Sequence, residues 1–97
     1  MKLRLTRRAA QDLAELADYI RARNPAAAER VRASILDALR NLAAFPQIGR
    51  PQSVAGVRKI VTRKYPYLIY YIVDDELQEV IILAIQHPAR KPQPFDS

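Results

Sequence analysis

The chain has 97 residues, 49% of them apolar, enough for one small hydrophobic core and too short for a second domain. With no cysteine and one histidine, disulfides, thiolate chemistry and the usual zinc ligand sets are excluded. Two glycines cannot build a phosphate-cradling loop or a dinucleotide fingerprint. Sixteen lysines and arginines against ten aspartates and glutamates give a formal charge of +6, a balance that favours an acidic partner.

Residues 2–6, KLRLT, alternate polar and apolar with the period of a half-buried strand, and Thr6 is placed to cap a following helix. From Arg7 to about Ala22, the residues Ala9, Leu13, Leu16, Ala17 and Ile20 fall on one face at helical spacing. Asn24-Pro25 then marks a boundary, because Asn caps helices well and Pro is tolerated at a first helical position. The second helix is predicted to run to about Ala44 on a stripe of Ala28, Val31, Ile35, Ala38 or Leu39, and Leu42. So short a connection predicts an antiparallel hairpin.

Residues 45–51, FPQIGRP, break the helix; Pro46 and Pro51 cannot donate to a ladder, and Phe45 and Ile48 are expected to pin this loop to the core. The stretch 57–73, VRKIVTRKYPYLIYYIV, reads as two adjacent strands joined at Tyr65-Pro66. Its first half is cationic and its second half is an uncharged apolar run. Asp74-Asp75-Glu76 reads as an acidic hairpin turn, and residues 77–86 as a last strand that is apolar on both faces at 80–85. His87-Pro88 ends the sheet. The expected fold is α+β, in the order β-α-α-β-β-β, with a two-helix antiparallel hairpin packed on a small, mainly antiparallel sheet. It forms one domain over 1–97, with a core of about 2–91 and an irregular tail at 92–97. No stretch approaches the roughly 18 apolar residues of a membrane span, and the N-terminus has no signal-peptide core, so a soluble cytoplasmic protein is expected.

The positive charge is concentrated. Between Pro46 and Val73 lie Arg50, Arg58, Lys59, Arg63 and Lys64, with no aspartate or glutamate. Strict alternation puts Arg58 and Arg63 on opposite faces of one strand, and the pattern leaves open which face the helices cover. No cofactor or metal is called for. RNA cleavage through its own 2′-hydroxyl is compatible with this composition. His87 would carry the proton, and Arg58, Arg63 and Arg90 would hold phosphate.

Several segments together resemble one family. They are the strand leading into two helices, Phe45-Pro46-x-x-Gly49-Arg50-Pro51, Gly56-Val57-Arg58, and the run from Arg63 through Tyr65-Pro66-Tyr67 to Tyr71. The ending from Ile82 through His87 to Arg90 completes the pattern. The chain is similar over about residues 2–91 to the RelE/ParE superfamily of bacterial toxins. The resemblance implies the toxin half of a toxin–antitoxin pair, assembled with an acidic antitoxin whose C-terminal segment wraps it. RelE-like members cut messenger RNA on the ribosome and carry an Arg-Leu-x-Tyr motif, but here the motif reads Tyr67-Leu68-Ile69-Tyr70. Tyrosine cannot supply that fixed positive charge, and the Tyr65-Pro66-Tyr67 form looks like that of ParE chains, which poison DNA gyrase. The implied contact residues are Arg58, Lys59, Arg63, Lys64, Tyr67, His87 and Arg90. Two alternatives accompany this reading: a ribosome-dependent endoribonuclease using His87, Arg63 and Arg90, and a non-toxic member that retains antitoxin binding alone.

Overall fold

The computed structural model describes residues 1–88, so Arg90 and the expected irregular tail lie outside the described residues. Along the chain come β1 (Lys2–Leu5), α1 (Arg7–Arg23), α2 (Pro25–Ala44), β2 (Arg50–Pro51), β3 (Arg58–Val61), β4 (Leu68–Asp74) and β5 (Glu79–Gln86). This is the expected α+β order with one addition: Arg50 and Pro51, expected in a loop, pair with Lys59 and Arg58. Proline is accommodated there because β2 is the sheet's edge.

Two polar side chains set the helix boundaries. Thr6 Oγ1 accepts the N–H of Ala9 at 3.1 Å, and its own hydrogen is shared between the carbonyls of Ile82 (3.0 Å) and Leu83 (3.2 Å). Asn24 closes one helix and opens the next. Its N–H donates to Ile20 O at 2.7 Å, while its side chain accepts from Ala27 N at 3.1 Å. Pro25 occupies the first turn of α2, where an N–H would have no helical partner.

The five strands lie in the order β1-β5-β4-β3-β2, with β1 parallel to β5 and the other pairs antiparallel. The two most apolar strands, β4 and β5, are therefore internal. Tyr70 faces Ala84 and Tyr71 faces Ile82, so Leu83 is an extra residue, a bulge whose carbonyl Thr6 takes up.

The helical hairpin covers one sheet face. Ala9 of α1 and Val31, Ile35, Leu39 and Leu42 of α2 pack there on Ile69, Tyr71, Val80, Ile82 and Ile85. Leu39, not Ala38, is the core residue of its turn. Each large side chain buried this way contributes about 1.5–3 kcal/mol. Val57, Tyr70 and Ala84 form a second cluster on the opposite face.

The register settles the faces of β3. Arg58 and Ile60 stand opposite Tyr71 and Ile69 and share the helix-covered face, whereas Lys59 and Val61 stand opposite Tyr70 and Leu68. Arg63 and Lys64 follow the end of β3, so strand alternation does not reach them. Thr62 organises this turn: its N–H donates to Tyr67 O at 3.0 Å, its hydroxyl donates to Tyr65 O and accepts from Tyr67 N.

The loop after α2 differs from expectation. Phe45 and Ile48 are 62% and 56% exposed and do not anchor it. Its backbone is held instead by Tyr71 from β4 and Arg58 from β3.

Candidate functional site

Charge is sorted into two concavities that share no lining residue. The larger, about 840 Å³, runs between α2 and the β2–β3 edge. Five cations line it: Arg30 from α2, Arg50 from β2, Lys59 from β3, and Arg63 and Lys64 from the following turn. Its one carboxylate among the described residues, Asp37, is paired with Arg40 at 3.3 Å. Among the described residues no carboxylate pairs with Arg50, Arg63 or Lys64. The groove is not uniformly polar, because Ile48, Ile60 and Val61 supply an apolar floor. Ala33, Ser34 and Ala38 keep the α2 wall low. Arg30 is aimed across the groove by a hydrogen bond from its Nε to Tyr65 Oη at 2.9 Å. β2 covers β3 only at Arg58 and Lys59, which leaves the outer edge of β3 open beside the groove at Val61.

The smaller recess, about 530 Å³, lies between α1 and the ends of β4 and β5. Among the described residues no lysine or arginine lines it. It holds Asp12, Glu15, Tyr19, Tyr67 and His87. Asp12 is fixed by two jobs: Oδ2 accepts the N–H of Ile85 at 3.0 Å and lies 3.6 Å from Arg8 Nε. β1 pairs with β5 only as far as Ile82, and the Asp12 carboxylate satisfies the N–H of Ile85 beyond that limit. Tyr67 is buried, and burial, with a smaller contribution from Tyr19, raises its phenol above the ordinary value. His87 meets it edge-on, with ring centroids 5.6 Å apart. Among the described residues no cluster of three or more potential metal ligands occurs.

The contact residues expected from sequence are thus divided. Lys59, Arg63 and Lys64 come together in the cationic groove, while Tyr67 and His87 share the carboxylate-lined recess. Arg58 lines neither; its guanidinium donates to the carbonyls of Gly49 and Gln47. Sequence reading missed Arg30, Asp12 and Glu15 as lining residues, and Arg50 entered through the charge count and the family pattern but not as a contact residue. Arg30 had a faint signal: with Ser34, Asp37 and Asn41 it forms a stripe of helical spacing. A polar stripe on a helix reads first as solvent-facing, and only the folded sheet turns it into a groove wall.

Comparison with known proteins identifies the architecture. The family described as ParE toxin of type II toxin-antitoxin system, parDE, matches residues 3–92. A putative toxin, Y4kP, of Sinorhizobium fredii is 37% identical over 89% of this chain and 86% of its own length. Toxin RelE2 of Caulobacter vibrioides is 40% identical over 88% of this chain and 92% of its own. Among solved structures, a chain of the chromosomal ParDE system from P. aeruginosa superposes with a TM-score of 0.77 at 30% identity, covering 90% of this chain and 95% of that one. The E. coli RelBE complex shares the fold at a TM-score of 0.71 and 21% identity, covering 92% and 98%. On the family match and the two curated relatives, the chain belongs to the ParE toxin family, within the RelE/ParE toxins of type II toxin–antitoxin systems.

Proposed function

We propose that this chain acts in the cytoplasm as a ParE-like toxin, poisoning DNA gyrase until an acidic antitoxin segment occupies its cationic groove. The supporting observation is the division of charge. A nuclease working on RNA needs its proton carrier beside cations that stabilise the phosphorane. His87 instead opens on Asp12 and Glu15, and Arg63 lines a different cavity. Tyr67, at the position where the RelE-like motif carries arginine, is buried and stays a neutral phenol. Among the described residues the recess offers no lining cation to stabilise a polyanionic substrate.

The groove supports the partner half of the reading. Its cations stand over an apolar floor, which suits an amphipathic acidic segment. The open β3 edge at Val61 offers backbone groups to an extended stretch of the same partner. Relatives point the same way: the P. aeruginosa structure is of a ParDE toxin–antitoxin system, and the E. coli one of an intact toxin–antitoxin complex.

The test runs purified protein in a gyrase supercoiling assay beside a ribosome-dependent transcript-cleavage assay. Supercoiling is expected to be blocked, and His87→Ala is expected to block it equally well. Normal supercoiling at large molar excess, together with transcript cutting that His87→Ala abolishes, would replace this reading with the endoribonuclease. Neither activity, with growth continuing when the chain is induced alone, would leave a non-toxic antitoxin binder.

A further inference from the structure

The loop between α2 and β2 contributes Ile48 to the cationic groove and leads into Arg50, the first residue of β2 and the groove's next lining cation, yet the side chain of neither anchors the loop. Its anchors are four backbone groups, each taken by a side chain from the sheet. Tyr71 Oη donates to Pro46 O at 2.8 Å and accepts the N–H of Gly49 at 2.8 Å. Arg58 Nη1 donates to Gly49 O at 2.7 Å and to Gln47 O at 3.2 Å. Tyr71 and Arg58 stand directly opposite each other across the β3–β4 ladder, so they act from one rigid cross-strand pair. The fit depends on glycine: a Cβ at position 49 would come within 2.7 and 2.9 Å of Tyr71 ring carbons. Holding a loop by its backbone leaves its side chains free to face outward. Here those outward residues are an apolar and a cationic member of the groove.

We propose that Tyr71 and Arg58 are positioning residues for partner binding, a clamp that delivers Ile48 and Arg50 to the groove without touching the partner. This rests on the reading of the groove as the site of an acidic segment. It takes Arg58 out of the contact set and gives Gly49 its reason: only glycine lets the backbone approach the phenol.

The test uses a fluorescent amphipathic peptide of about sixteen residues, built from glutamate and leucine, as the probe for the groove. Binding is followed by anisotropy at a temperature where urea melts show every variant folded. Arg63→Gln with Lys64→Gln tests the groove itself and is expected to weaken binding about tenfold. Tyr71→Phe is expected to weaken it several-fold. The decisive readout is a double-mutant cycle with Arg50→Gln: costly in the parent chain, this substitution should cost almost nothing once Tyr71→Phe has released the loop. A merely structural tyrosine would lower stability and leave the cost of Arg50→Gln intact. Arg58→Lys keeps the charge but loses the guanidinium fork, so it should reproduce the Tyr71→Phe result without altering the core. If Arg50→Gln costs the same in the Tyr71→Phe and Arg58→Lys backgrounds as in the parent, the clamp is overturned while the groove stands. If Arg63→Gln with Lys64→Gln leaves affinity unchanged, the groove reading falls and the clamp falls with it.

Discussion

Gly49 and Tyr71 are mutually dependent, and that dependence can be measured apart from any partner. Gly49→Ala places a methyl against the phenol ring, so the tyrosine must move off its rotamer or the loop must leave the sheet. Either costs about 1–3 kcal/mol, which a shift of the urea midpoint would show; an unmoved midpoint would mean the loop closes without this contact. The hydroxyl also gives the molecule an alkaline limit. Burial raises the Tyr71 phenol above its ordinary 10.0, an effect partly offset by the Gly49 N–H and the Arg58 charge. Tyr67 is raised as well, by burial first. The folded state therefore holds protons that the unfolded chain releases. The stabilisation is complete below pH 10 and fades as pH rises through the raised values. Stability should drop as pH rises above 10, and the drop should be shallower in Tyr71→Phe, which has one raised phenol fewer. Every other side chain is common to the two proteins, so the difference between them isolates the tyrosine. Equal slopes would show that its hydroxyl does not couple to folding.

At the level of elements, the boundaries follow from local chemistry, and most were readable in the chain. Asn24-Pro25 and Thr6 announce helix starts by residue type alone, and the 3.6-residue stripes name the buried positions of α2 and the buried Ala9 and half-buried Leu13, Leu16, Ala17 and Ile20 of α1. What could not be read is what those residues do at a distance. Nothing local to Thr6 says that its hydroxyl also serves the carbonyls at a bulge 76 and 77 positions later. Nothing local to Asp12 says that it completes β5. The loop anchors were misassigned for the same reason. Hydrophobicity nominated Phe45 and Ile48, whereas the backbone's unpaired polar groups selected Tyr71 and Arg58. The difference predicts an order of effects. Asn24→Ala removes an exposed cap and should cost about 1 kcal/mol. Thr6→Ala removes a cap and also deprives the part-buried Leu83 carbonyl of its hydroxyl partner, while Ile82 O keeps the Thr6 N–H, and should cost about 2 kcal/mol. Thr6→Ser, which keeps the hydroxyl, should recover most of it. Urea denaturation of the three variants decides, and equal costs for Thr6→Ala and Asn24→Ala would mean the Leu83 carbonyl finds water instead.

Across the whole molecule, the +6 charge is less informative than its arrangement around the hairpin. Among the described residues the α2 side presents five lining cations against one carboxylate paired with Arg40, and the α1 side presents a recess lined by Glu15 and by Asp12, itself paired with Arg8. From sequence the basic run 58–64 was visible. Its separation from His87 was not, because that depends on how far β3 extends and on which helix covers which end of the sheet. Such a distribution orients an approaching polyanion before contact, since the α2 groove attracts it more strongly than the α1 recess does. Association with an acidic partner should therefore be fast at low salt and slow by tenfold or more between about 0.05 and 0.5 M salt, with dissociation changing much less. Arg63→Gln with Lys64→Gln should flatten that dependence, and His87→Ala should leave it as it is. Stopped-flow association rates across the salt series test all three statements. A rate indifferent to salt in the parent chain would mean that the groove binds through its apolar floor, with the cations as bystanders.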